Sequence, residues 1–185
     1  MNGSYTGFIL MNKGNSVSTL YFLWAVGVNN RNTIITEGPL MQNGNPMAYA
    51  STGGYAPLGD LQLGEMDLYL LTPDQQGIAR EVADNSFRPC CDNPTSFPDC
   101  NLGAAALGLI EIMASQGASR QEIYSALEEF NSLQFPQQYT LTAVSLASRG
   151  IAWSSVDPAV ILGRNLSSAS GFAGRRKKAW WETLI

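Results

Sequence analysis

All three cysteines of the chain fall within one stretch, "RPCCDNPTSFPDC", as Cys90, Cys91 and Cys100. Thiols this close can close a loop as a disulfide, hold a soft metal ion or a haem, act as reactive thiols, or sit reduced and buried. A structural zinc site uses four Cys or His ligands in paired short spacings. This chain has no histidine, so Asp92 or Asp99 would have to complete the set. The Cys-x-x-Cys spacing of redox motifs and haem attachment is absent as well. A bridge from Cys91, or Cys90, to Cys100 closes a loop of ten or eleven residues that contains Pro94 and Pro98, worth about 2–3 kcal/mol through loop entropy. The reading is therefore a disulfide staple, most simply Cys91 to Cys100, which implies an oxidising, extracytoplasmic compartment. One thiol is left over, to pair between chains or bind a small group. A thiol, metal or haem carrier built on Cys90, Cys91 and Cys100, with Asp99 as a further metal ligand, is the alternative.

Other reactive sets are incomplete. Without histidine, neither a Ser-His-Asp nor a Cys-His arrangement can be assembled. Glu128 and Glu129 are adjacent, so on a helix they point to different faces and read as a solvated edge. Glu37, Asp60, Glu65 and Asp67 surround a Gly/Pro-rich stretch but lack the alternating acidic pattern of a calcium loop. The sequence reads as non-enzymatic, with no cofactor expected unless the cysteines hold a metal or haem.

Charge sets bounds on partners. Charged residues make up 14% of the 185, against the roughly 25% usual for soluble domains, and the net charge is −4. A general nucleic-acid binder needs phosphate-neutralising basic surface, so that class is set aside. The last eleven residues, 175–185, carry a net +3 through Arg175, Arg176, Lys177, Lys178 and Glu182, leaving −7 for residues 1–174. Together with Trp180 and Trp181 this tail suits an anionic membrane surface or an acidic partner, or it closes the domain as a packed terminal helix. The longest apolar run, residues 17–28, is shorter than the ~20 residues a membrane-crossing helix needs. Residues 1–10 lack the basic start and long apolar core of a secretory leader; no leader is visible in the given chain, and that absence does not settle the compartment.

The first half reads as β. "YTGFILM", "VSTLYFLWAVGV" and "TIITEG" are rich in aromatic and β-branched residues and are separated by Asn/Gly turns, as hairpin strands are. The middle run is apolar on both faces and reads as a central strand. Residues 38–64 hold six glycines and three prolines, either an irregular excursion over the sheet or a contact loop presenting Met41, Met47, Tyr49 and Tyr55. "EMDLYLLT" reads as another strand, and Pro73 opens a short helix to about Asp84.

Beyond the cysteines the pattern turns helical. Residues 101–117 contain a single charge, Glu111, and a run of small residues from Gly103 to Gly108, the mark of a buried helix. Ser119 and Glu122 form a capping box, followed by Ile123, Ala126, Leu127 and Phe130 at helical spacing. A third helix spans 137–148, and Asp157-Pro158 caps a fourth. The fold class expected is α+β, one domain with an antiparallel β-rich half (1–87), a cysteine loop (88–100), a helical half (101–174) and the basic tail (175–185).

The stretch "CCDNPTSFPDCNLGAAALGLIEIMASQGAS" resembles a segment of uncharacterised bacterial proteins of the form Cys-Cys-x-Asn-Pro-Thr-x-Phe-Pro-Asp-Cys-Asn-His-Gly, followed by a hydrophobic helix. More loosely it is similar to Cys-rich helical modules of extracytoplasmic thiol, haem or metal handling proteins. The resemblance implies no established activity. Leu102 stands where that pattern has histidine, which favours a structural cysteine loop over a Cys/His ligand set. The functional expectation is an interaction or assembly subunit that binds other protein subunits or a second copy of itself.

Overall fold

The apolar run expected to be a central strand is a helix. In the computed structural model, which describes residues 9–174, α1 spans Ser16–Asn29. It buries Leu23, Trp24, Val26, Gly27 and Val28 while Val17, Tyr21 and Phe22 face outward. Its main partner is α5 (Asn101–Ser115), and the two make the most extensive helix pair in the molecule. Their backbones approach so closely that a Cβ on Gly27 would fall on the carbonyl oxygen of Ala104, and one on Gly108 on that of Leu23. The small residues of α5 thus select a helical neighbour. Strand propensity, which spans only ~1 kcal/mol per residue, gives way to that packing.

The β-rich half is accordingly absent, and with it the α+β class: the described residues contain helices, 3-10 turns and one isolated parallel bridge, Asn30 with Met66. "TIITEG" winds into α2 (Thr33–Thr36) because the Asn32 Oδ1 accepts from the N–H groups of both Ile34 and Ile35, a side-chain cap that offers the backbone a turn in place of a ladder. "EMDLYLLT" forms no strand beyond the single bridge of Met66 to Asn30. The Asn30 side chain holds it instead, accepting from Tyr69 N and donating to Tyr69 O.

Residues 38–64 form α3 (Pro39–Gln42) and two 3-10 turns, packed on α1 rather than on a sheet. Trp24 Nε1 donates to Ser51 O at 2.8 Å, and Asn29 Nδ2 to the Tyr55 hydroxyl at 2.8 Å. Leu40 and Tyr55 enter the core. Of the chemistry-bearing side chains expected around this stretch, Asp67 pairs with Arg31 at 2.6 Å in an exposed bridge.

The second half follows its caps. α4 (Pro73–Asn85) carries a Thr72/Gln75 capping box and α6 (Arg120–Gln134) the Ser119/Glu122 box. α7 (Pro136–Ala147) starts on its proline, and Asp157 caps α8 (Pro158–Leu162), followed by α9 (Arg164–Ser167). α6 packs on α8 and α4 on α5. One core joins both halves of the chain.

Glu111 is the anomaly of this core. It is 0% exposed, its Oε1 accepts from Asn32 Nδ2, and its Oε2 has no partner among the described residues. Burial pushes its carboxyl well above the usual carboxylate range, so the folded chain keeps a proton there that the unfolded chain releases near pH 4.3.

Two outcomes follow from this packing. Gly108→Ala places a methyl group against the α1 backbone and should lower stability by about 1–3 kcal/mol, the cost typical of overpacking, with the thermal midpoint as readout. Glu111→Gln keeps the shape and removes the titration. Because the folded pKa is raised, wild-type stability is intact below about pH 4.3 and declines above it as the unfolded state gives up its proton. The variant should therefore match wild type near that pH and exceed it at neutrality in denaturant unfolding.

Candidate functional site

The chain between α4 and α5 is laced by hydrogen bonds. Thr95 N donates to Ser86 O, the Ser86 and Thr95 hydroxyls pair at 2.9 Å, and Ser96 N reaches Ala83 O. Phe87 is tied to Leu162 O through its N–H and to Asn131 Nδ2 through its carbonyl. These bonds carry the next residue, Arg88, into the interior, where it is 1% exposed.

A buried guanidinium requires acceptors, since it cannot shed its charge. Nη2 donates to Asp99 Oδ1 at 2.9 Å, and Nε donates to Cys100 Sγ at 3.4 Å. Asn93 Nδ2 holds the other Asp99 oxygen at 2.9 Å. Cys100 is at the same time the N-cap of α5, its sulfur accepting from Gly103 N at 3.4 Å. Gly103 permits the arrangement because a Cβ there would collide with the Arg88 guanidinium.

The expected Cys91–Cys100 disulfide is not formed; all three cysteines are free. Cys100 Sγ is engaged by Gly103 and Arg88, whereas Cys91 Sγ turns toward Asn93 O. Hydrogen bonds do the loop-closing work that sequence spacing assigned to a disulfide. The Cys90 and Cys91 sulfurs lie 3.9 Å apart. Cys90 is exposed, while Cys91 and Cys100 are partly buried.

The Cys90 thiol, the Cys91 thiol and the Arg88 cation together pull the Cys100 thiol far below the ordinary cysteine range, against the effect of burial. Cys90 and Cys91 move up, each first of all through its hydrogen bond to Cys100. Proton loss is thus easiest at Cys100, the sulfur on which Gly103 N and Arg88 Nε converge. Adjacent cations and helix N-termini are the usual means of stabilising a thiolate.

The segment also holds the end of the described chain. Ala169 N donates to Cys91 O at 2.9 Å, and Ser170 N to Asp92 Oδ1 at 2.9 Å. The tail residues expected to contact partners or a membrane, Arg175, Arg176, Lys177, Lys178, Trp180 and Trp181, lie outside the described residues. Asp99 is turned to Arg88 and Asn93, and no group of three or more Cys, Asp or Glu among the described residues is arranged to hold a metal ion. Glu128 is not a solvated edge: its carboxylate accepts from Trp153 Nε1, and partial burial raises its pKa. No helix among the described residues is long and apolar enough to cross a membrane.

Arg88 and Gly103 are the functional side of the site that sequence reasoning missed. The available signal was an arginine two residues ahead of paired cysteines in a chain poor in charge. No family model, curated protein or solved structure matches the chain.

The charge distribution has a direct chemical readout. Iodoacetamide alkylation of Cys100, followed by peptide mass analysis, should keep the same rate from about pH 5 to about pH 8, while that of Cys90 and Cys91, both held above the ordinary thiol range, should stay low and rise only toward alkaline pH. Arg88→Gln should bring back a pH dependence at Cys100.

Proposed function

We propose that the chain is a thiol-bearing interaction subunit whose cysteine cluster cycles between the Cys100 thiolate and a Cys90–Cys100 disulfide, passing that disulfide to dithiols of a partner protein. The observation that supports this best is one sulfur, Cys100, held under the Gly103 and Arg88 N–H donors with two thiols beside it. A stabilised thiolate is a good leaving group, and any disulfide containing it is oxidising because its reduced form is favoured. In the exchange a partner thiolate attacks the exposed Cys90 sulfur, the internal S–S bond breaks, and Cys100 departs as the thiolate. The partner's second thiol then displaces Cys90. Such traffic fits an extracytoplasmic compartment.

A second reading, a purely structural assembly subunit, is favoured by the outward strip of Val17, Tyr21 and Phe22 on α1. Apolar surface of this kind marks a protein contact when it is contiguous. The two readings differ in their demand on the cysteines.

Equilibration of the full chain in glutathione buffers separates them. Peptide mapping should find a Cys90–Cys100 disulfide with a midpoint less negative than about −200 mV, the range of oxidising thiol proteins, and no such bond in Cys90→Ser. Three free thiols in the most oxidising buffer would leave the assembly reading alone.

A further inference from the structure

The sulfur on which the N–H donors converge is not the sulfur most open to a protein. Cys100 is partly buried, and two N–H groups converge on it: Gly103 N at the start of α5 and Arg88 Nε, the latter on a side chain 1% exposed. Cys90 is the exposed member of the cluster. Thiol–disulfide exchange at Cys100 would require a bulky disulfide to align its two sulfurs with a recessed nucleophile. A hydroperoxide has no such requirement, since one terminal oxygen has to touch the sulfur.

Resting on the thiol-carrier reading, we propose that the oxidant of this site is a small hydroperoxide, with Cys100 as the sulfur that attacks it and Cys90 as the resolving thiol.

The Cys100 thiolate attacks the terminal oxygen of ROOH. An S–O bond forms, the O–O bond breaks, and the electron pair leaves as RO⁻, which takes a proton from water to become ROH. Cys100 is then a sulfenic acid. The Cys90 thiol attacks that sulfur, the S–S bond forms, and the departing hydroxide takes the Cys90 proton as water. A partner dithiol regenerates the cluster through exposed Cys90. The sum is ROOH plus a dithiol giving ROH, water and a disulfide, with two electrons moved from the partner's sulfurs to the peroxide oxygen.

Arg88 and the α5 N-terminus suit both ends of the first step, holding the thiolate in place and favouring negative charge where the O–O bond parts. Arg88 Nη1 is enclosed and has no acceptor among the described residues, so the cation retains donor capacity beyond Asp99 and Cys100.

The test uses the reduced full chain with hydrogen peroxide and with cumene hydroperoxide, scored by mass mapping and a sulfenic-acid trap. Wild type should pass to a Cys90–Cys100 disulfide. Cys90→Ser, altered at an exposed position, should accumulate trapped Cys100 sulfenic acid, at a rate roughly tenfold above free cysteine at about pH 7, the gain from a larger thiolate fraction less the lower nucleophilicity of a low-pKa sulfur. Cys100→Ser, which keeps a helix-capping oxygen, should lose the reaction. Oxidation of Cys100 no faster than free cysteine, with the glutathione-driven Cys90–Cys100 disulfide still forming, would overturn the hydroperoxide assignment and leave the exchange reading standing. Failure of both reactions would overturn the two together.

Discussion

A guanidinium buried at 1% exposure is a debt in free energy that only nearby negative charge offsets, and Arg88 organises the structure around that requirement. Asp99 and Cys100 meet it from the end of one loop, and Asn93 fixes Asp99 from within the same loop. Gly103 leaves the room, and Ser51 N ties the Asp99 carbonyl to the 38–64 segment. The Cys100 sulfur is thus more than a reactive group. It caps α5, the helix on which α1 and α4 pack, and it accepts from the Nε of the cation beneath it. Oxidising Cys100 would alter an acceptor that Arg88 uses, which links the state of the sulfur to the seating of the whole segment.

The helical half was legible in the sequence because its signals are local. Ser119 with Glu122, Pro136, and Asp157-Pro158 specify helix starts through hydrogen bonds and backbone angles that need no distant partner. The first half was misread because its deciding contacts are distant. Residues 16–29 carry strand-favouring side chains, yet Gly27 and Gly108, 81 positions apart, bring two helices into backbone contact. A continuous apolar run does not by itself distinguish a buried strand from a buried helix. "TIITEG" turned on Asn32, whose capping role is recognisable once the strand is not assumed.

The site was half legible. Cysteine positions located it, while Glu111 stood out only as the one charge of an apolar helix, its burial as a carboxyl unread. Pairing could not be read, because spacing measures the length of a loop and not the direction of its sulfurs. Arg88 escaped notice because an arginine is ordinarily a surface residue, and its meaning depends on Gly103, fifteen residues on and silent as chemistry.

The functional account rests on one charged sulfur among three. In the reduced protein, the ultraviolet absorbance of the thiolate followed from alkaline to acid pH counts charged sulfurs directly, and Cys100→Ser assigns the difference. The account requires one thiolate that persists well below the ordinary cysteine range, near pH 8.5, and that vanishes in Cys100→Ser. All three thiols protonating together in that ordinary range would contradict it.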